Sequence, residues 1–248
     1  DTALAGFNGT FAHEAVLFEE REPLGESDNT LKMLAKVQKD NDDTFDAKAW
    51  LRARMLDFYI ADWDRHEDQW RWRDLNEGTD KDRFYIPVPR DRDQALRYSQ
   101  GILSTLIYQP IFQPTMQTFT RDIGDVNFAF FKSTFLNAHP AFQFSHAEWM
   151  KEAEDFKDAI TDDVIDASIA GLPAEVQALR GKEFKASFLA RREKLPAAMD
   201  KHYRFINAIV DIHLSDKNEK VVVEDAGQQG TKITVRKINK DGEVKRKL

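Results

Sequence analysis

The chain has 248 residues, 42% of them apolar and 18 of them Phe, enough to bury one large core and too apolar for wholesale disorder. Charged residues make up 32%, yet the net charge is only −7, so the composition lacks the excess of Lys and Arg expected of a nucleic-acid surface. There is no Cys, which excludes disulfides, thiolate zinc sites and cysteine nucleophiles.

In chain order, the opening to about residue 25 is apolar and irregular, with a strand-like run from Ala15 to Phe18 closed by Glu19, Glu20 and Pro23. Ser27 and Asp28 suit a helix cap ahead of Leu31, Leu34 and Val37 at helical spacing. A stronger helix is expected over 46–61, where Ala47, Trp50, Leu51, Met55 and Phe58 recur at three- and four-residue steps and define one buried face. Trp70 and Trp72, then Phe84, Ile86 and Val88, alternate as two short strands around a loop at Asn76 to Gly78. Pro87 and Pro89 argue that the second strand is an edge strand or an extended segment. Segments near 95–109, 146–159, 161–171, 173–180 and 181–213 carry helical periodicity; Phe128 to Phe144 does not decide between helix and loop.

Beyond residue 215 the pattern changes to Val221–Val223, Ile233–Val235 and Val244, separated by Gly-containing turns, which predicts a small hairpin or meander. The expected architecture is therefore mainly α (α+β), with a helical domain over 1–215 and a short β-segment over 216–248 that suits the start of a further domain. No apolar run approaches the roughly 18 residues of a membrane span. The chain begins without Met, in mid-pattern at Asp1, and is expected to be a piece of a longer protein, so the lack of a targeting signal says nothing of location.

The polar chemistry concentrates in Asp62-Trp-Asp-Arg-His-Glu-Asp-Gln69 and Pro89-Arg-Asp-Arg-Asp-Gln94. Carboxylates at that density repel one another unless a cation, an Arg or solvent separates them. Trp63 and Trp70 bracket the first string, and the strand-loop-strand element between the strings suits folding the second back beside the first. A helix end and a hairpin together can deliver carboxylates from two elements to one place, which is the hard-oxygen ligation Mg²⁺ takes alongside substrate phosphates. Phosphoryl transfer also needs a carboxylate to accept the attacking hydroxyl's proton. Arg90 and Arg92 suit a phosphate clamp, or simple pairing with Asp91 and Asp93. His13, His139, His146, His202 and His213 are scattered and read as surface or core residues, and Arg191-Arg192 as a solvated helix face.

Asp64-Arg-His-Glu-Asp-Gln69 resembles the catalytic loop of atypical kinases, Asp-Arg-His-x-x-Asn, found in phosphoinositide, secretory-pathway and spore-coat kinases. Leu56 to His66 is similar to their helix-to-loop lead-in, and Pro89 to Leu96 resembles the metal-binding segment of the spore-coat group; this likeness covers about 56–96. Most of the chain, including Leu51 to Arg54 and Arg191-Arg192, looks like a domain of large Bacteroidota envelope proteins that precedes an outer-membrane β-barrel. The resemblance implies the C-terminal lobe of an atypical kinase, with Asp64 as catalytic base and Arg65 and His66 shaping the loop. It implies Asp93 as main metal ligand, Asp91 as a second and Gln69 as a further one, and Glu19-Glu20 near the hinge of a nucleotide site. Mg²⁺ or Mn²⁺ and ATP are the implied cofactors, an unidentified phospho-acceptor and a β-barrel in the parent chain the implied partners, and the cell envelope the implied location.

Two features depart from the kinase pattern. Gln69 stands where the family has Asn, and neither a Gly-rich loop nor a strand lysine precedes Glu19, so the chain by itself is not expected to transfer phosphate. The alternative is a non-catalytic structural or interaction domain that kept the fold, its acidic residues knit together by Arg54, Arg65, Arg71, Arg90 and Arg92. A metallohydrolase using the same carboxylates needs further ligands.

Overall fold

The structure is a computed structural model describing residues 27–76, 82–99, 101–103, 107, 111–112, 115–129, 132 and 140–248. Glu19, Glu20, His13, His139 and the strand-like run at 15–18 lie outside the described residues. The fold is mixed α+β, as the sequence pattern indicates: helices around two buried apolar clusters, a strand pair at the acidic site and a separate set of strands at the C-terminus.

Strand β1 (Asp28–Asn29) leads directly into helix α1 (Thr30–Lys39), whose N-cap is Asn29 rather than Ser27 or Asp28. The Asn29 side chain accepts from Lys32 N at 2.8 Å, satisfying a donor that the first turn leaves open. After strand β2 (Thr44–Phe45), helix α2 (Ala47–Ile60) starts at Asp46, whose carboxylate accepts from Ala49 N at 2.8 Å. Ala47, Trp50, Leu51, Met55 and Phe58 are all buried, as their spacing predicts. Helix α2 stops at Ala61, which adopts a left-handed φ of 58° while its N–H satisfies the Asp57 and Phe58 carbonyls.

Strands β3 (Trp70–Asp74) and β4 (Phe84–Pro89) form the expected antiparallel pair. Their sheet has the order β1-β3-β4-β2, so β4 is interior by topology, but β2 pairs only with Phe84 and Tyr85. Pro87 and Pro89 lie beyond that short partner, on a stretch open on one side, where a missing N–H breaks no ladder bond. Trp70 and Trp72 point inward from alternate positions and stack with ring centroids 6.1 Å apart.

The helix expected over 95–109 does not start there. Residues 93–96 form a turn, Leu96 has a φ of 57°, and 97–99 are irregular. Helix α3 (Val126–Ala129) is a single turn. Helix α4 (His146–Ala159) opens with a Ser145/Glu148 capping box and helix α5 (Asp162–Ala170) with Thr161. Helix α6 (Ala174–Ile206) runs unbroken through Gly181, where two helices were expected, and also carries Pro196. Helices α2, α4 and α6 enclose the core with the first sheet, burying Met33, Trp50, Met55, Trp70, Trp72, Trp149, Leu195 and Met199.

Strands β5 (Glu219–Asp225), β6 (Thr231–Ile238) and β7 (Val244–Lys247) make the C-terminal antiparallel meander. Among the described residues no helix is long and apolar enough to cross a membrane.

Candidate functional site

The two acidic strings meet at the C-terminal end of α2, and the residue that joins them is Asp57. Its side chain is 1% exposed and takes charge from three arginines. Arg54 Nη1 donates to Oδ2 at 2.7 Å, Arg65 Nε donates to Oδ2 at 3.0 Å and Arg65 Nη2 to Oδ1 at 3.0 Å. Arg92 Nε forms an ion pair with Oδ1 at 3.3 Å. Asp62, folded back by its N–H to the Asp57 carbonyl at 2.8 Å, accepts from Arg65 Nη2 at 2.9 Å. Two carboxylates share three cations, and all but Arg92 are at most 1% exposed, which holds geometry more than it adds net stability.

Burial first, and the Asp57 charge second, push the Asp62 carboxyl up to about 6 against the pull of Arg65, Arg54 and Arg92. Burial likewise lowers Arg54, which Asp57 opposes. Deeper in the core, His202 of α6 lies between Phe58 at 5.9 Å and Trp149 at 6.3 Å. Burial, reinforced by the Arg54 charge, holds its imidazole well below the ordinary histidine range.

Arg65 is the expected loop-shaping residue, and it is fully buried. Besides binding both carboxylates it donates to the carbonyls of Gln69, at 3.4 Å, and Arg90, and it lies 5.5 Å from the Trp70 ring centroid. The Arg90 N–H returns to the Gln69 carbonyl at 2.8 Å. Hence the two strings are clasped together at Gln69 and Arg90. His66 is half-buried at the entrance to the short 3₁₀ turn Glu67–Gln69.

Asp64 faces outward with its side chain 24% exposed and pairs with Lys132, whose ammonium lies 4.8 Å from the Trp63 ring centroid. Gln69 is buried; its Nε2 lies 3.5 Å from Asp91 Oδ2, while its carbonyl oxygen Oε1 has no hydrogen-bond partner among the described residues. Asp91 is exposed and left-handed, with a φ of 52°. The structure thus pairs Gln69 with Asp91, the second of the two expected carboxylate ligands. The first, Asp93, is exposed, accepts from Gln94 Nε2 at 3.0 Å and donates its N–H to Asp91 Oδ1 at 3.2 Å.

A side-chain amide turns its nitrogen toward a carboxylate when nothing else is present, because two oxygens repel. With a cation between them, the same amide turned over presents Oε1 beside the carboxylate. Gln69 and Asp91 therefore fit a hard divalent cation in donor type, and the orphaned buried oxygen is the atom such an ion would satisfy. Among the described residues no cluster of three or more His, Asp or Glu makes a closed metal site.

Sequence reading missed Asp57 and misplaced Arg191. An Asp three residues after Arg54 on a helix reads as an exposed pair, yet both are buried. Arg191, read as solvated, is fully buried; it donates to the carbonyls of Tyr59, at 2.7 Å, Thr120, at 3.2 Å, and of Phe58 and Asp122. It caps the end of α2 just before the site, and burial lowers its guanidinium to about 10. Only Arg192 reaches the surface, pairing with Asp162 at 2.6 Å. No protein-family model, curated protein or solved structure matches the chain.

Proposed function

We propose that the acidic site is a divalent-metal site serving Mg²⁺-dependent, nucleotide-using phosphotransfer, in a domain of a bacterial envelope protein that works with chain beyond the residues described. The observation that carries this reading is the buried, unpartnered Gln69 Oε1 beside the Asp91 carboxylate. Asp91 and Gln69 would hold the metal, with Asp93 adjacent on the same turn. The bound ion would neutralise charge on the phosphates.

The chain's own residues supply the rest. Asp64 is a partly exposed carboxylate on a loop that Arg65 locks from below, so it can accept a proton from an acceptor hydroxyl. Lys132, paired with Asp64, would bring a cation to balance the negative charge of a phosphoryl group transferred beside that carboxylate. The nucleotide contacts expected of Glu19 and Glu20 fall outside the described residues, and Arg90 offers its carbonyl to Arg65.

A second reading is favoured by a different observation. Asp57 is held by three arginines and Asp62 by Arg65, as in a scaffold whose polar cluster fixes loop shape and performs no chemistry.

Calorimetric titration of Mn²⁺, then of Mg²⁺ with ATP, decides between them when the chain is compared with Asp91→Asn and Asp64→Asn. The phosphotransfer reading expects metal binding that Asp91→Asn removes and Asp64→Asn keeps, with both variants folded. Absence of binding to the folded parent chain at millimolar metal leaves the scaffold reading.

A further inference from the structure

We propose that Asp57 is the positioning residue of the acidic site, setting the Asp64 loop through Arg65 and the Asp91 loop through Arg92. Metal binding enters this inference only through the reading above; the positioning itself is a property of the two loops.

The argument starts at helix α2. Asp57 sits in its last full turn between Met55 and Phe58, both buried in the core, so its carboxylate is a fixed point. Each carboxylate oxygen receives two cationic contacts. Arg65 reaches Oδ1 and Oδ2 from the first loop and then spends its remaining donor on the Gln69 and Arg90 carbonyls. Arg92 reaches Oδ1 from the second loop with its side chain 28% exposed. Asp91 therefore lies between Arg90, hydrogen-bonded through its carbonyl, and Arg92, whose Nε is held to Asp57 by an ion pair without a hydrogen bond.

That arrangement accounts for the backbone of Asp91. A left-handed φ of 52° is uncommon outside Gly, Asp being among the side chains that tolerate it best, and it is held where the surroundings over-determine it. Clasping the residues on both sides does so, and it presents the Asp91 carboxylate to Gln69. Neither Asp57 nor Arg92 contributes an oxygen to that pair, so both act through the loop.

The decisive variant is Arg92→Gln, because it removes the second arm alone and leaves Arg54, Asp57 and Arg65 buried and paired. Amide hydrogen exchange is followed at Asp93 and Ala95, whose N–H groups bond Asp91 Oδ1 and the Arg92 carbonyl, and at Asp62 and Gln69 in the first loop. Arg92→Gln is expected to speed exchange at Asp93 and Ala95 about tenfold while Asp62 and Gln69 stay protected. Mn²⁺ affinity should fall by roughly 10- to 100-fold, the range for lost outer-shell partners. Asp57→Asn, where it folds, should loosen both loops, and Arg92→Lys should recover part of the loss. Asp43→Asn, which breaks the remote pair with Arg83 at 2.9 Å, should change none of these readouts.

Wild-type exchange at Asp93 and Ala95 in Arg92→Gln overturns the proposal. Faster exchange there, in a parent chain that binds no Mn²⁺, sustains the positioning role and removes the metal reading instead.

Discussion

Asp62 and His202 show how burial bends the pH response of single residues in opposite directions. Asp62 has its carboxyl raised to about 6, above the ordinary value of about 3.9 that it regains on unfolding. The folded state then holds a proton that the unfolded state releases, so the Asp62 contribution is fully present below about pH 4 and is lost as pH rises through 6. Its upper bound is on the order of 3 kcal/mol. His202 runs the other way: its folded value is depressed, so its contribution is present above about pH 6.5 and lost on acidification. Denaturant midpoints of parent and Asp62→Asn from pH 4 to 7 separate the two. The parent's advantage over the variant should shrink as pH rises to 6; a flat difference would return the Asp62 carboxyl to its ordinary range. His202→Phe should weaken the acid-side loss of stability and leave the Asp62 difference in place. Arg191→Met belongs to the same scale, since it takes a donor from the buried carbonyls of Phe58 and Tyr59 and from the part-buried ones of Thr120 and Asp122. A cost of about 2–5 kcal/mol is expected by urea denaturation. A cost below about 1 kcal/mol would mean that water replaces the guanidinium at the end of α2.

Elements were legible where their signals are local. Helix α2 could be bounded to within a residue because Asp46 caps it and Trp50, Leu51, Met55 and Phe58 mark its face. The alternation of Trp70 and Trp72 with Arg71 and Arg73 fixed β3 for the same reason. Strands β1 and β2, two residues each, carry no period, and their pairing with β3 and β4 is set by contacts 40 or more residues away. The site divides along the same line. The two acidic strings stand out by composition, but Asp57 and Arg191 look solvated because buried charge leaves no mark on periodicity. Gly181 misled in the other direction, suggesting a break that α6 does not have. An alanine Cβ there would meet Ile169 Cγ2 at 3.5 Å, ordinary van der Waals contact. Gly181→Ala should therefore raise stability by about 0.5–1 kcal/mol, through helix propensity and a narrower unfolded ensemble. Thermal unfolding measures it, and a lower midpoint would show that α5 and α6 pack too closely to admit a methyl group.

At the scale of the whole molecule, the C-terminal sheet differs from the body in what holds it. Val221, Val223, Ile233 and Val244 remain 36–65% exposed, so the meander buries little apolar surface. Among the described residues its ties to the body include polar ones: Asn41 Nδ2 donates to Glu219 Oε1 at 3.1 Å, Lys217 pairs with Asp40 at 3.3 Å, and Lys237 pairs with Asp42. Arg246 donates to the Asn41 carbonyl, and the Asp216 N–H to the Gln38 carbonyl at 3.0 Å. Half-exposed ion pairs contribute about 0–1 kcal/mol each and weaken as salt shortens the screening length to about 3 Å at 1 M. A three-stranded sheet with so little covered apolar surface is also marginal by itself. Native-state hydrogen exchange should therefore find Val221 and Val235 opening at lower free energy than the α6 amides around Leu195. Added NaCl should lower the sheet value further. Asp42→Ala should do the same at low salt, since it removes the partner of both Lys237 and Arg246, and should blunt the salt response. If sheet and helix amides exchange at one common free energy under all these conditions, the polar seam carries more than surface pairs can supply. The chain would then unfold as a single unit.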